Sequence, residues 1–326
     1  MKAFVTGVNG FTGSHLAKAL RDRGDEVVGF VRPTSNLSRL KNCDLELVRG
    51  DICDRSLLKT AMQGVDVVFH IAAYVELGLV DEAAMTRTNV EGTRSVLEAA
   101  KAVGVQKVIY CSTIGVFGDT GGKVVDETFQ RTQTEFSSAY DRTKLEAQKL
   151  ADEFAKNGLP VISVMPSGIF GADDPHFGPV LSNFLQGKLK VWAGGKRMTG
   201  IVHVDDLVVA MLLAAEKAES GEHFIISAGD LSTREMFEIL GRESGMQPPQ
   251  EIPETVVRFV AGNLDILGRL LSWNPPLSNE RVHYVYDRCV RVDSTKARQK
   301  LGWNPRSVET TLTEIARQLL SANAEF

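Results

Sequence analysis

A glycine-rich turn near the N-terminus constrains how this chain can fold more than any other feature. The turn is Thr6-Gly7-Val8-Asn9-Gly10-Phe11-Thr12-Gly13, and it follows a short apolar run that we predict to be a buried strand, residues 2–6. Apolar residues then recur at helical spacing over 14–23, and Gly24 provides the stop signal. A second apolar run at 26–31 completes a strand–turn–helix–strand unit, which is typical of a parallel α/β sheet.

The three glycines of the turn have separate roles in such a unit. Gly7 permits the tight turn, Gly10 lets the backbone approach a ligand, and Gly13 lets the helix pack closely against the strand. The amide groups at the helix N-terminus then face an anion. Glycines also occur in purely structural turns, but this position in a strand–turn–helix unit predicts a site for the pyrophosphate of a dinucleotide.

A tyrosine and a lysine four residues apart, Tyr140 and Lys144, predict the chemistry. At this spacing the two side chains share one face of a helix. A phenol with its ordinary pKa of about 10 is a poor acid or base near neutrality, and a neighbouring ammonium lowers that pKa. Tyr140 would therefore donate a proton to a carbonyl oxygen or accept one from an alcohol. Tyr and Lys at this spacing are common on helix surfaces. A catalytic role is favoured here because the pair follows a predicted dinucleotide-binding turn.

The Gly-x-x-Gly-x-x-Gly spacing resembles that of the short-chain dehydrogenase/reductase superfamily, in its extended branch. Further segments match that branch in the same order, at 51–52, 70–73, 89–93 and 111–118. The resemblance covers essentially the whole chain. It implies an α/β fold with a Rossmann-type doubly wound parallel sheet and a smaller, mostly helical C-terminal substrate lobe. It also implies an oxidoreductase that transfers a hydride between a nicotinamide and a CH–OH or C=O group.

The resemblance also assigns roles to individual residues. Thr113 matches the catalytic Ser/Thr that positions the substrate oxygen, with Ser112 as the alternative. Lys144 holds the nicotinamide ribose as well as assisting Tyr140. Asn89 steadies the lysine region, unless it is simply a polar helix position. The other cofactor contacts that the resemblance implies are Gly7, Asn9, Gly10, Phe11, Thr12, Gly13, Asp51, Ile52, Ala72, Ala73, Pro166 and Ser167.

The end of the second predicted strand indicates which nicotinamide cofactor is used. An acidic residue there would bind the ribose 2′-hydroxyl of NAD, whereas an arginine accommodates the 2′-phosphate of NADP. The chain has Arg32 at this point and no acid over 30–36. Arg32 can make charge-assisted hydrogen bonds to a phosphate, and Ser35 or Asn36 can add neutral ones. We therefore predict NADP, with NAD as the alternative; a solvated arginine beside a turn is the competing interpretation.

The domain organisation follows from the same resemblance. Residues 1–166 are predicted to form the dinucleotide-binding domain, to which segments at about 201–228 and 290–306 return. The rest of 167–326 is expected to form the substrate-binding lobe, in which 230–288 is largely helical.

Two substrate classes compete within this branch. Nucleotide-sugar epimerases and dehydratases commonly carry an asparagine after the sixth strand, but here Pro166-Ser167-Gly168 stands at that point. Arg197 is the main candidate to bind a diphosphate. Residues 275–286 resemble instead the dihydroflavonol reductase and 3β-hydroxysteroid dehydrogenase-like group. The apolar stretch 256–273 would line an apolar pocket, form a buried core helix or, as a minor alternative, contact lipid.

We therefore predict an NADP-dependent oxidoreductase acting on a ketone or secondary alcohol of apolar or aromatic character. The alternative is a nucleotide-sugar epimerase or dehydratase with tightly bound NAD. A third hypothesis is a cofactor-binding regulatory protein without turnover, which the intact set of Thr113, Tyr140 and Lys144 disfavours.

Composition limits the partners. The 326 residues carry a net charge of −4 and no basic run, which argues against nucleic acid. No apolar stretch reaches the ~20 residues of a membrane-spanning helix, and the chain starts on its first strand, so we expect no signal peptide. Four scattered cysteines favour a reducing cytoplasm, and six histidines show no metal-ligand pattern. We expect His70 to act through its backbone near the cofactor and not as a base.

The resemblance also predicts a homodimer. In the extended branch two helices, here at about 82–102 and about 137–156, pair across the interface as a four-helix bundle. The apolar residues that support this prediction are Val96, Leu97, Ala99, Ala100, Leu145, Leu150 and Phe154.

Overall fold

A computed structural model describes residues 1–324 of the chain, and side-chain environments through residue 322. At its centre lies a seven-stranded parallel sheet in the order β3-β2-β1-β4-β5-β7-β11. The strands other than the exposed edge strand β3 are rich in Val, Ile and Phe and are largely buried on both faces, as expected for a parallel sheet covered by helices. They are β1 Lys2–Thr6, β2 Glu26–Val31, β3 Glu46–Arg49, β4 Val67–His70, β5 Lys107–Cys111, β7 Val161–Pro166 and β11 His223–Ile226.

Helices cover both faces of this sheet, and further helices lie beyond the carboxyl ends of its strands. They are α1 Phe11–Asp22, α2 Arg55–Ala61, α3 Glu82–Thr86, α4 Gly92–Val103, α5 Ala139–Lys156, α6 Gly178–Leu185, α7 Val204–Lys217, α8 Thr233–Ser244, α9 Glu254–Leu271, α10 Asn279–Tyr286 and α11 Val308–Ala324. A π-helical turn, Arg87–Glu91, joins α3 to α4, and another spans Ala297–Leu301.

Three small sheets lie outside the central one. A three-stranded sheet has the order β12-β10-β8, and two pairs join β13 to β9 and β14 to β6. The strands are β6 Val124–Val125, β8 Gly168–Phe170, β9 Val191–Trp192, β10 Met198–His203, β12 Gly229–Ser232, β13 Gln250–Glu251 and β14 Arg291–Val292. The last pair connects the segment after β5 to the C-terminal part of the chain.

The core is divided by the central sheet. One face packs against α1 and α7 together with Trp303, and the other packs against α2, α4 and α5. A separate cluster joins α6, α8 and α11. The predicted fold class is therefore confirmed: the sheet is doubly wound, and its strand order reverses between β1 and β4. In such sheets ligands bind outside the carboxyl ends of the strands at that reversal.

The first helix begins earlier than predicted. It starts at Phe11 and not at Ser14, because Gly10 is extended (φ −77°, ψ 177°) and the helical conformation begins inside the glycine turn. Gly24 has φ +83° directly after the helix, which agrees with its predicted role as a stop. Helix α11 has no counterpart among the sequence predictions.

The apolar stretch 256–273 is neither a buried core helix nor mainly a pocket lining. Most of it forms α9, in which only Val257, Ala261, Asp265 and Gly268 are buried. The opposite face is exposed; Phe259 retains 73% and Leu270 75% of its accessible surface. The buried face of α9 is composed of Val257 and of small or polar residues, so hydrophobicity alone does not show which face packs against the protein. No described helix combines the length and hydropathy needed to traverse a bilayer.

The apolar residues that supported the homodimer prediction do not form an outward-facing surface. Five of these residues are buried in the core between the helices and the central sheet: Val96, Leu97, Ala99, Ala100 and Leu150. Phe154 packs against the margin of that core, and Leu145 packs against a separate cluster that includes Phe117 and Met165. The helices α4 and α5 use these side chains within the chain. The homodimer stays a prediction, without this support.

Candidate active site

The glycine turn leaves no room for side chains. Gly7 has φ +68°, and a Cβ there would lie 2.9 Å from the Cα of Ala72. A Cβ on Gly13 would lie 2.1 Å from the Gly7 carbonyl oxygen, and one on Gly10 would lie 3.2 Å from the same atom. Glycine is thus required where the turn, the first helix and the loop after β4 meet.

The start of α1 fits an anionic ligand. Within the described residues no side chain caps this helix at Gly10, so the amide groups of Phe11, Thr12 and Gly13 keep their hydrogen-bonding capacity. An uncapped helix end beside glycines matches the requirements of a dinucleotide pyrophosphate. Asn9 donates from Nδ2 to the carbonyl of Asn36 at 3.2 Å, which ties the turn to the loop after β2.

That loop places basic groups next to the turn. Arg32 is exposed directly after β2, and Ser35 donates its backbone N–H to the Arg32 carbonyl at 3.0 Å. Arg49 at the end of β3 donates to the Pro33 carbonyl at 3.0 Å. No acidic residue occurs over 32–36, so the surface at the end of β2 is cationic.

A buried network connects the turn to the next strand. Thr6 Oγ1 lies 2.8 Å from His70 Nδ1 and accepts the backbone N–H groups of Ile71 and Ala72. The other ring nitrogen of His70 lies 2.9 Å from Thr93 Oγ1 on α4. Burial lowers the pKa of His70 to about 3, so the ring is neutral and structural, in agreement with the sequence interpretation. Ala72 is thereby held against Gly7, and Ala73 follows it.

Asp51 and Ile52 lie beyond the end of β3. Asp51 pairs with Arg87 at 2.8 Å and accepts the backbone N–H of Cys53, and these contacts hold the pKa of its carboxyl below the ordinary value. Ile52 packs against Gly92, where a Cβ would approach its side chain to 2.7 Å. The two residues therefore form a fixed corner at the edge of the site.

Helix α5 presents the tyrosine and the lysine. Ser138 caps it by accepting the N–H of Asp141 at 3.0 Å, which fixes Tyr140 in the first turn. Lys144 is buried, and its ammonium donates to the Tyr110 hydroxyl at 3.0 Å and to the Cys111 carbonyl at 2.8 Å. Burial lowers the pKa of Lys144 to about 8.

The electrostatic environment of Tyr140 differs from the expectation. Burial raises the pKa of its phenol above the ordinary value, and a hydrogen bond with the Thr113 side chain opposes that change. The Lys144 ammonium donates to Tyr110 and Cys111, and no hydrogen bond joins it to Tyr140 in the described structure. The structure thus reveals Tyr110, which lies at the end of β5, as a lysine partner. Its only sequence signal is an aromatic residue directly before the Cys-Ser-Thr segment.

Thr113, and not Ser112, stands beside Tyr140. Thr113 Oγ1 also accepts the N–H of Gly115 at 3.0 Å, and so caps a short 3₁₀ turn, Ile114–Phe117. The Ser112 hydroxyl is buried and has no hydrogen-bond partner among the described residues. Pro166 ends β7, and Ser167 follows it with a buried hydroxyl that likewise lacks a partner in this part of the chain.

Asn89 lies in the π-helical turn between α3 and α4. Its amide donates to the Tyr74 carbonyl and to Thr143 Oγ1, both at 3.0 Å, and its carbonyl accepts the N–H of Tyr74 at 2.7 Å. Thr143 directly precedes Lys144, so Asn89 anchors both the lysine helix and the loop after β4. Two further residues that sequence reasoning missed, Tyr284 and Arg288, approach the same centre from the C-terminal lobe.

Comparison with known proteins agrees with this arrangement. The sequence profile of the NAD dependent epimerase/dehydratase family matches residues 3–227. The chain belongs to this family. It is 31% identical over 98% of its length to a 4-hydroxy-2-methyl-3-oxo-4-farnesyl-3,4-dihydroquinoline-1-oxide ketoreductase of Stigmatella aurantiaca, of which the match covers 96%.

Two further similarities cover most of the chain. One is to a 3 beta-hydroxysteroid dehydrogenase/Delta 5-->4-isomerase of Mycobacterium tuberculosis, with 30% identity over 96% of this chain and 89% of that protein. The other is to the structure of a UDP-glucose 4-epimerase of Thermotoga maritima with UDP-glucose, with a TM-score of 0.80, 25% identity and coverage of 99% and 100%. The predicted resemblance is confirmed, and the protein is an oxidoreductase of the extended short-chain type that uses a nicotinamide cofactor.

Proposed function

We propose that the protein is an NADP-dependent reductase of ketones, or in reverse a dehydrogenase of secondary alcohols, with Tyr140 as the proton donor and acceptor. One observation carries the proposal. Three groups lie near the end of β5: the Lys144 ammonium donates to the Cys111 carbonyl, Thr113 follows two residues later, and Thr113 influences the phenol of Tyr140 in the first turn of α5.

A nicotinamide cofactor would supply or receive the hydride when bound, and the residues of the chain provide the proton transfer and the orientation. During reduction the Tyr140 hydroxyl donates its proton to the developing alkoxide, while the Thr113 hydroxyl hydrogen-bonds the same oxygen. Lys144 remains charged below a pH of about 8, since burial lowers its pKa to that value. Its ammonium then offsets the negative charge left on the phenolate.

The preference for NADP rests on Arg32. Its exposed guanidinium follows β2, and the segment 32–36 supplies no carboxylate to bind a ribose diol. Asn9 holds the loop against the glycine turn at 3.2 Å, so the arginine stays close to the dinucleotide.

The substrate is an apolar or aromatic carbonyl compound. The names of the relatives from Stigmatella aurantiaca and Mycobacterium tuberculosis describe enzymes of a farnesylated quinoline and of a steroid, both largely apolar. A sugar-nucleotide substrate has less support, because the position after β7 is serine and not asparagine.

The experiment is a set of initial-rate measurements of NADPH and NADH oxidation with steroid, aryl and alkyl ketones, and of UDP-glucose conversion without added cofactor. We expect NADPH-dependent reduction of a ketone by the wild-type protein. Epimerisation or dehydration of UDP-glucose without any reduction of a ketone would overturn the proposed reaction. Ketone reduction that is equally fast or faster with NADH would overturn the proposed preference for NADP.

A further inference from the structure

Two arginines from distant segments stack on one tyrosine beside the reaction centre. Tyr284 lies on α10, and the guanidinium carbons of Arg197 and Arg288 each lie 4.6 Å from the centre of its ring. Arg197 directly precedes β10, whereas Arg288 follows α10. Two like charges on one ring require either buried carboxylates or an external anion, because they repel each other in a partly desolvated setting.

Only one of these arginines has a carboxylate partner. Arg288 lies 3.4 Å from Asp141, and both side chains are buried. Arg197 has no carboxylate within ion-pair distance among the described residues, and burial lowers the pKa of its guanidinium. The Nε of Arg288 is also buried without a hydrogen-bond partner in that part of the chain. Arg197 therefore carries a positive charge that no ion pair compensates in the described structure, and the pair keeps spare hydrogen-bond donors.

The pair is close to the reacting groups. Arg288 Nη2 lies 3.4 Å from the Gly115 carbonyl. A Cβ on Gly115 would lie 3.2 Å from that nitrogen and 3.3 Å from Thr113 Oγ1, so the guanidinium and the threonine hydroxyl border the same space. A substrate whose oxygen contacts Thr113 and Tyr140 would therefore lie close to Arg288, and Arg197 stacks on the same Tyr284 ring as Arg288.

The space beside the pair accommodates a ligand. Arg197 and Arg288 line a cavity of about 730 Å³. Lys196 and four carboxylates also line this cavity. Glu251 and Asp119 accept the backbone N–H groups of Gly195 and Cys289, and Glu254 and Asp287 pair with Arg258. Asp119 and Glu251 keep their negative charges, but no carboxylate of the described residues forms an ion pair with Arg197.

We propose that Arg197 and Arg288 bind a carboxylate of the substrate, so that the enzyme acts on oxo acids and the corresponding hydroxy acids whose remaining chain is apolar. This inference rests on the proposed carbonyl–alcohol chemistry. The planar guanidinium fork matches a carboxylate, and a single uncompensated charge suits a monoanion better than the diphosphate of a sugar nucleotide.

The test compares a medium-chain 3-hydroxy acid with its methyl ester, which has nearly the same shape without the charge. Oxidation with NADP⁺ is measured for the wild type, Arg197→Met and the exposed control Lys190→Met, which also removes one positive charge. Binding of the acid is measured separately by calorimetry. The wild type should favour the acid over the ester by at least about tenfold in kcat/KM. Arg197→Met loses the charge-assisted hydrogen bonds, so its kcat/KM for the acid should fall by about ten- to hundredfold while its kcat/KM for the ester stays the same. Lys190→Met should change neither value.

The outcomes separate this inference from the function on which it rests. Equal turnover of acid and ester by the wild type overturns the carboxylate site and leaves the ketone chemistry intact. If the acid binds only when Arg197 is present but no carbonyl compound or alcohol is turned over, the carboxylate site is supported and the proposed reaction is overturned. Binding of UDP-glucose that is lost in Arg197→Met, with no binding of the acid, assigns the arginines to a diphosphate and overturns the inference.

Discussion

The cofactor half and the substrate lobe of this protein are built in different ways. In the cofactor half, the glycine turn lies in the strand–turn–helix unit of β1 and α1, and Tyr140 and Lys144 lie in one helix. In the substrate lobe, Arg197 and Arg288 are far apart in sequence and meet only on the ring of Tyr284.

This difference explains where sequence motifs are informative. A phosphate site needs backbone amides, so glycine spacing specifies it locally. A substrate pocket needs side chains, which the fold can bring from any part of the chain. The two regions should therefore respond differently to substitution, and four predictions test this, ordered by expected effect.

Tyr140→Phe changes a residue between the cofactor half and the substrate lobe, and it should have the largest effect on turnover. Turnover of any ketone that the wild type reduces should fall by about 10²–10⁴-fold, because the ring still packs but no proton reaches the alkoxide. NADPH affinity, measured by fluorescence titration, should be nearly unchanged. Tyr74→Phe is the matched control, since its hydroxyl reaches Glu76 at 3.4 Å outside the proposed reaction centre. Retention of more than about a tenth of wild-type turnover would place the proton donor elsewhere.

Gly13→Ala should separate a required glycine from a dispensable one. The Cβ of the new alanine would lie 2.1 Å from the Gly7 carbonyl oxygen, so the turn must shift. We expect the free energy of unfolding to fall by about 1–3 kcal/mol and cofactor binding to be lost. The control is Gly262→Ala in α9, where the nearest atom, Asn279 Oδ1, is 4.0 Å away. That change should stabilise the protein by about 0.5–1 kcal/mol.

Urea unfolding and NADPH titration of both glycine variants check this prediction. If Gly13→Ala bound NADPH as tightly as the wild type, the close packing of the turn would not be a condition for cofactor binding. If Gly262→Ala were the more destabilised variant, the contrast between the two regions would be wrong.

Arg32→Ala should change cofactor choice without affecting the substrate lobe. NADPH binding should weaken by about tenfold, the value of one charge-assisted contact, while NADH binding stays the same. Lys41→Ala removes a charge from the same exposed loop and serves as the control. Equal weakening for NADPH and NADH would show that Arg32 contacts a part shared by both cofactors.

The sequence was sufficient for the features that depend on local backbone geometry. It predicted the doubly wound sheet and the strand–turn–helix unit, whereas the choice of Thr113 over Ser112 stays a prediction. It could not predict the π-helical turn that directs Asn89 to Thr143, because that irregularity depends on packing between α3, α4 and α5.

Long-range contacts account for the rest. The partner of Lys144, Tyr110, lies on a strand 34 positions earlier in the chain. The stretch in α9 was misassigned because its small residues, among them Ala261 and Gly268, pack inward while Phe259 and Leu270 face outward. Hydrophobic periodicity identifies an apolar face but not which neighbour covers it.

The smallest expected effect concerns the contact that joins the two regions. His15 on α1 lies 2.7 Å from Asp205 at the start of α7 and 3.2 Å from Asp173, which also pairs with Arg39. These two carboxylates raise the pKa of His15 to about 9. Because the folded-state pKa lies above the ordinary value of about 6.5, the stabilisation is complete below about pH 6.5 and is lost as the pH rises through about 9.

Solvent reduces this contribution, since the Asp173 and Asp205 side chains are 49% and 53% exposed, and we expect about 1 kcal/mol. His15→Gln keeps a polar side chain but cannot titrate. The difference in Tm between the wild type and His15→Gln should therefore be about 2 °C at pH 6 and should vanish by about pH 10. Measuring this difference, and not the wild type alone, cancels the titration of other groups such as the N-terminal amine, whose pKa is raised by Asp25. A difference that stays constant with pH would mean that the contact holds the two regions together through packing and not through charge.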